Sequence, residues 1–596
     1  MTGQFARFGL VVAAVQALWM LRYLAHAGPI SDLTAGLYRG LAVAGQVAWW
    51  VGVPVVGAAL LGRWLPRRAV GVLAVIAAAS ATAMLAADTL VYDRWRFHLD
   101  FTLLALFFGS SGDRIFALGP LTRAALVGLP LGLAAVYAGA WRLAARPWPG
   151  VRLAWGGLLL ALPAHHLLHA WADASYDSGI TGLTRHLPLF APLTARRFLE
   201  ARGWVDLSEQ RELRDPPTGA LAYPAATPHC SPPADPLNLL VLVVDTWRAD
   251  SLRPDETPHA WALAQRPDAA VHRDHWSGGN VTRTGMFSLF YGIPCTAWSA
   301  VSAAQIPPVL LSQAAQAGVT LGLGLSADLA PQAFDRTLFS GVEDLLLTRP
   351  EETPAGRDAG ATADLVAWLE HASEPFSGVL YLDAVHGYSV PDDAPRPFQP
   401  AWETPEHLRL GPDTDPTPYR NLYRNALLAA DGRVGEVLAA LDARGVRDRT
   451  IVVLTSDHAE EFNDNGLNHW GHGSNYTAAQ LQVPLVVAWP GVEGGDRTWR
   501  TTHEDVVATL LQDWLGCEDP GGALSRGLAL ADPSPRPPLV ACSYYNHAIV
   551  EPDRATITYP AGPYEIVDPT GRALPDARVR PDTLETALEA MSRYLR

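Results

Sequence analysis

The stretch LNLLVLVVDTWRAD, residues 237–250, decides the fold of the C-terminal part of the chain. Leu239 to Val244 are apolar without a break, where a strand exposed on one face would alternate. Such a run reads as a strand covered on both faces, as in a parallel sheet, and it stops abruptly at Asp245. Three similar runs follow: GVLYLDAVHGY (378–388), RTIVVLTSDHAEEF (449–462) and QVPLVVAWPG (482–491). Helical segments separate them, so the expected fold is α/β, a mixed sheet flanked by helices. The late segment YYNHAIVEPDRATITYPAGPYEIVDPTGRAL (544–574) reads as short antiparallel strands completing the domain, with His547 incidental.

Ligands of open α/β sheets bind beyond the carboxyl ends of the strands. Three of the runs deliver acids or histidines to that edge: Asp245, His386, and the adjacent Asp457 and His458. A single Asp there is an ordinary helix cap. Three such endings together, one an Asp-His pair, point instead to a metal site. Asp245, Asp457 and His458 mix carboxylate with imidazole, which suits Zn²⁺ or Mn²⁺ better than Ca²⁺, with Mg²⁺ or Ca²⁺ as the alternatives. One divalent ion would keep a fourth position open to a nucleophile. The loop NHWGHGSNY (468–476) adds His469 and, between glycines, His472, the better candidate for a substrate or second-metal contact.

The first third is different in kind. Apolar stretches near 7–26, 41–61, 69–91, 122–141 and 151–171 have the length of bilayer spans. Arg63, Arg67 and Arg68 lie between the second and third, and Arg142, Arg146 and Arg152 between the fourth and fifth. By the positive-inside rule both loops are cytoplasmic, which places all that follows the fifth span outside, in the periplasm of a cell with two membranes. The expected organisation is a five-helix transmembrane domain (1–175), a juxtamembrane segment with a Pro-rich linker (176–236) and a periplasmic domain (237–596). The polar start of YDRWRFHLDFTLLALFFGSSGDRIFALG (92–119) reads as interfacial, with Trp95 and Phe97 at headgroup level. His165, His166 and His169 share a helix face that could ligate metal, although polar residues where a helix leaves the bilayer are the more ordinary reading. Arg196 and Arg197, in LPLFAPLTARRFLEARGW (187–204), are placed either to grip lipid phosphates or to anchor the chain at the interface.

A chain of 596 residues exceeds one ordinary domain, and its net charge of −15 argues against nucleic-acid binding. All 45 basic residues are arginine, so any anion grip comes from Arg or His. Cys230, Cys295, Cys517 and Cys542 include no CxxC pair. One or two disulfides in an extracytoplasmic domain and four free thiols both remain open, as do all three full pairings.

The segment GGNVTRTGMFSLFYGIP (278–294) carries two hydroxyls at the start of an apolar helix. Taken with VVDTWRAD, TSDHAEE, WGHG and HEDVVATLLQDWLG, it resembles the ordered motifs of the alkaline phosphatase and sulfatase superfamily over most of 237–530. WRFHLD, LPLFAPLTARRFLEARG and SGGNVTRTGMFSLFYGIP resemble a narrower group, the inner-membrane sulfatase-like proteins of the YejM type, linked to lipopolysaccharide control and envelope homeostasis. The superfamily resemblance implies an alkaline-phosphatase-like domain with Thr282 as nucleophile and metal ligand, ten residues before Gly292. Thr284 is the fallback, and helix capping by both threonines is the alternative. Sulfatases use a formylglycine made from Cys or Ser, so a threonine implies phosphoryl transfer, as in the superfamily's membrane phosphotransferases. His386 and His472 would then bind the phosphoryl group or protonate the leaving oxygen, while Arg248 would clamp phosphate or form a structural salt bridge. The expected activity is that of a metal-dependent hydrolase or phosphotransferase acting on phosphate esters, above all lipid headgroups. The alternative is a non-catalytic regulator of envelope biogenesis that senses lipid or lipopolysaccharide. Expected partners are membrane lipids, lipopolysaccharide and an inner-membrane protein. The intact Asp457–His458 pair departs from the narrow group toward the active superfamily.

Overall fold

A computed structural model describes residues 2–27, 33–61, 64–95, 119–174, 221–327, 332–340, 353–559 and 564–595, with short pieces near 30, 98–99, 178–204 and 342–346. Phe97, residues 100–118, Arg196 and Arg197 lie outside the described residues, as does the side chain of Trp95.

Five long helices occupy the apolar third: α1 (Thr2–Tyr23), α2 (Leu33–Leu61), α3 (Arg67–Trp95), α4 (Pro120–Leu143) and α5 (Val151–Ala174). Four contain stretches long and apolar enough to cross a membrane, Gly3–Tyr23, Arg68–Asp93, Pro120–Leu143 and Val151–Ala174. The other, α2, runs 29 residues with Pro54 inside it and lies along α1 and α5. Phe8 meets Trp141 edge-on at 5.2 Å between α1 and α4. Leu131, Leu153 and Leu160 face outward on α4 and α5, an apolar surface suited to lipid rather than water. At the end of the bundle where α1 stops, Asp93 on α3 pairs with Arg22 and, at 2.8 Å, with His26. His165 turns its Nδ1 to the Ala161 carbonyl at 2.8 Å and lies with its ring tilted against that of His166, 4.2 Å between centroids. The three histidines of α5 form none of the clusters of metal-ligand spacing found among the described residues.

The C-terminal domain is built on eight strands: β1 (Asn238–Val244), β2 (Ala269–Trp276), β3 (Thr320–Leu325), β4 (Asp344–Leu346), β5 (Phe376–Leu382), β6 (Thr450–Thr455), β7 (Leu485–Ala488) and β8 (Gly495–Thr502). Their order across the sheet is β8-β2-β7-β6-β1-β5-β3-β4. All pairings are parallel except those of β7, which runs against both its neighbours. β1 is central, with Val241 opposite Val379 on β5 and Val453 on β6.

The unbroken apolar run of β1 follows from this position. Leu239, Val241 and Val243 enter one core, with Phe287 and Val507. Leu240, Leu242 and Val244 enter the other, with Leu365 and Leu422. Each side chain so buried contributes roughly 1.5–3 kcal/mol. The first core is closed by α6 (Thr282–Tyr291) and α9 (His503–Thr509), the second by α7 (Pro354–His371) and α8 (Thr417–Arg444). A separate antiparallel sheet of four strands, from Leu539–Cys542 to Tyr564–Val567, packs beside them. Disulfides join Cys230 to Cys517 and Cys295 to Cys542. The second ties the segment after α6 to that small sheet.

The two parts of the chain touch near the site described next. Asn468 donates its side-chain amide to the Asp93 carbonyl of α3 at 3.3 Å. Glu406 accepts the Leu121 N–H of α4 at 3.3 Å, an acidic group where a helix N-terminus favours one.

Candidate active site

β6, β1 and β5 are adjacent and parallel, so the residues just past their carboxyl ends converge. Asp245 follows β1, Asp457 and His458 follow β6, and Asp383 with His386 follow β5. His458 Nε2 lies 3.5 Å from Asp245 Oδ1 and 3.6 Å from Asp457 Oδ2. Two clusters result in which each residue offers a ligand atom within 4.8 Å of the others: Asp245, Asp457 and His458, and Asp245, Asp383 and His386.

Each carboxylate at the centre is fixed through one oxygen and aims the other. Asp245 Oδ2 accepts from the Tyr381 hydroxyl, and Asp457 Oδ1 accepts from the His458 N–H at 2.9 Å. Asp245 Oδ1 and Asp457 Oδ2 are buried with no hydrogen-bond donor, and His386 Nδ1 stands 3.5 Å from Asp383 Oδ1. Buried polar atoms of this kind require an explanation. Burial and mutual repulsion push the Asp245 carboxyl well above its ordinary range, and burial raises Asp457 as well. Burial and the neighbouring His472 drive His458 down to about 3, which leaves it neutral, the form that binds metal. Two strained acids and a neutral imidazole aimed at one point make a donor set that fits a divalent cation.

Thr282 opens α6, and its hydroxyl sits 3.4 Å from His458 Nε2. Thr284 points elsewhere, donating to the Cys542 carbonyl at 2.9 Å. α6 reaches the site because residue 285 is glycine: a Cβ there would stand 2.2 Å from the Asp457 carbonyl oxygen. His503, at the start of α9, braces the same junction. Its Nε2 is 3.0 Å from the Ser456 carbonyl and its Nδ1 is 3.0 Å from Ser288 of α6.

His472 and His386 flank the cluster, the His472 ring centroid lying 4.4 Å from that of His458 and 5.3 Å from that of His386. Buried Glu460 accepts from His472 Nδ1 at 2.7 Å and also from the Tyr388 hydroxyl. That bond fixes the His472 tautomer and leaves its Nε2 as the available nitrogen. Arg248 takes the structural alternative: it is buried in ion pairs with Asp250 (2.8 Å) and Asp464 (2.9 Å) and also donates to the Glu460 carbonyl. A phosphate-clamping role for Arg248 is therefore corrected to the bracing of the loop that carries Glu460. The structure thus brings together Asp245, Thr282, His386, Asp457, His458 and His472, while Arg196 and Arg197 lie outside the described residues. Sequence reasoning passed over Asp383 and Glu460. Asp383 occupies the same place after β5 that Asp245 occupies after β1, so position alone could have found it.

Comparison with known proteins follows these two halves. Residues 237–516 match the sulfatase family, and residues 4–230 match a domain of unknown function, DUF3413. The chain is 26% identical over 441 residues to the inner membrane protein YejM of Salmonella typhimurium, covering 72% of this chain and 69% of that one. It is 25% identical over 394 residues to an uncharacterized protein of Haemophilus influenzae, covering 65% and 60% of the two chains. The integral membrane protein lipooligosaccharide phosphoethanolamine transferase A (EptA) of Neisseria meningitidis shares the fold, with TM-score 0.50 and 16% identity over 84% of this chain and 99% of that one. The chain carries a sulfatase-family domain behind apolar N-terminal helices and is homologous to the YejM inner membrane proteins.

Proposed function

We propose that this membrane member of the sulfatase superfamily is a metal-dependent phosphohydrolase or phosphotransferase that uses Thr282 as its nucleophile on phosphate esters, chiefly lipid headgroups. The observation that carries this reading is the Thr282 hydroxyl, 3.4 Å from His458 Nε2 beside two carboxylate oxygens that lack donors. Asp245, Asp457 and His458 would hold a divalent ion, which would supply positive charge to lower the hydroxyl pKa and screen phosphoryl oxygens. Zn²⁺ or Mn²⁺ suits this donor set best. Thr282 Oγ gives up its proton and bonds to phosphorus as the bond from phosphorus to the leaving oxygen breaks, aided by the positive N-terminus of α6, and water or an acceptor hydroxyl then takes the phosphoryl group from Thr282. His472, its tautomer fixed by Glu460, presents Nε2 for proton exchange with the leaving oxygen, while His386 faces the phosphoryl group from the β5 side. A threonine cannot become formylglycine, which favours phosphate over sulfate esters.

The arginine-rich loops support an outward-facing domain, and the two disulfides fit an oxidising compartment. Both support a site in the periplasm, against the outer leaflet of the inner membrane. Lipopolysaccharide and an inner-membrane protein remain proposed partners. A second reading, a lipid-sensing regulator, draws on one observation: Asn468, four residues before His472, is bonded to membrane helix α3.

The test uses the full chain in detergent, with metal analysis and hydrolysis of bis(p-nitrophenyl) phosphate. Stoichiometric Zn²⁺ or Mn²⁺, reduced in Asp457→Ala, with turnover cut about 10³-fold or more in Thr282→Ala, is the expected result. No bound metal and no turnover would favour the regulator.

A further inference from the structure

Arg283 stands next to the nucleophile and stands out by what it lacks. In a chain with 60 acidic residues, its guanidinium pairs with no carboxylate among the described residues. Its Nε donates to Gln332 Oε1 at 3.1 Å, and Gln332 in turn donates to the Tyr544 hydroxyl at 3.0 Å. The guanidinium carbon lies 4.9 Å from the Tyr544 ring centroid and 5.5 Å from that of Trp298. One edge is thus occupied, two aromatic rings hold the plane, and the two terminal nitrogens keep their donors. A propped guanidinium fork of this kind is the arrangement that meets a phosphate bidentately.

The subsite is beside the reacting centre rather than part of it. Consecutive helical residues project about 100° apart, so Thr282 and Arg283 leave α6 in different directions. The residues around Arg283 also come from segments other than those that hold the metal cluster. We infer that Arg283, set by Gln332, Tyr544 and Trp298, is an anion subsite that reads a second phosphate group carried by the same substrate whose first phosphate reacts at Thr282. This rests on the phosphate-ester reading of the site and narrows it to substrates with two phosphates.

The experiment measures binding rather than turnover, so it stands apart from the catalytic reading. Propylphosphonate and 1,3-propylenediphosphonate are titrated into the metal-loaded full chain in detergent, by calorimetry and by the fluorescence change of Trp298, assigned with Trp298→Phe. The diphosphonate is expected to bind with one-to-one stoichiometry and at least tenfold more tightly, an advantage lost in Arg283→Ala and partly kept in Arg283→Lys. Equal affinities in the wild type would overturn the inference, as would an advantage that survives in Arg283→Ala. Two-to-one binding of propylphosphonate would also overturn it, since the subsite would then take free anions. Should neither compound bind at all, the inference falls together with the phosphate-ester reading. Should propylphosphonate alone bind, only the inference falls.

Discussion

Thr282 and Thr284 carry the same hydroxyl two residues apart, and their surroundings give them opposite roles. Thr284 spends its proton on the Cys542 carbonyl inside the core. Thr284→Val should therefore cost about 1 kcal/mol of stability and leave turnover near wild type. Thr282→Val should do the reverse, abolishing turnover while changing stability by no more than about 0.5 kcal/mol. Thermal denaturation and phosphodiesterase kinetics on both variants separate the two. Glu460→Gln keeps an acceptor for His472 but removes the charge, and kcat is expected to fall about 10- to 100-fold, the usual effect of losing such a supporting partner. At this scale the sequence was informative wherever a ligand closes an apolar run, as at Asp245 and Asp457. It was silent on Glu460, because in a line of text Glu460 and Glu461 are equivalent. Only the fold turns Glu460 to His472 while Glu461 accepts from Asn475 and Gln480.

Among the elements, α6 carries the proposed nucleophile, by its position against the Asp457 loop. Gly285 permits that contact, and Gly285→Ala must push the Asp457 carbonyl away. Overpacking of this kind costs typically 1–3 kcal/mol. Because the displaced residue is a proposed metal ligand, a drop of at least tenfold in metal affinity is expected, measurable by competition with a chelator. The central strands were legible because burial on both faces leaves an uninterrupted apolar run. β8, GDRTWRTT, was not, since an edge strand partly in water carries no such signature. Nor could cysteine spacing alone pair Cys295 with Cys542. Their sequence separation is 247 residues, and only the packing of the small sheet beside α6 brings them together.

Across the whole molecule, the site is poised between charge repulsion and cation binding. In the metal-free protein, burial raises the Asp457 carboxyl to about 6, and Asp245 moves in the same direction. These two carboxyls then hold more protons folded than unfolded between about pH 4 and 6, so their contribution to stability falls as pH rises through that window, while His458, neutral down to about 3, contributes in the opposite sense. A bound cation relieves the repulsion, so the metal-induced rise in Tm should grow over the same range. Thermal scans of the metal-free and metal-loaded chain from pH 4.5 to 7.5 check both signs. The contacts of Asn468 with α3 and of Glu406 with α4 place the apolar helices against loops of the C-terminal domain, an arrangement that would suit the proposed substrate in the bilayer. The central claim, that Thr282 is a covalent nucleophile, is tested most directly by mass spectrometry of the full chain quenched during turnover of a phosphodiester. The account predicts a phosphoryl adduct on the peptide containing Thr282, absent from Thr282→Ala. Turnover without any adduct on that peptide, or turnover that persists in Thr282→Ala, would contradict it.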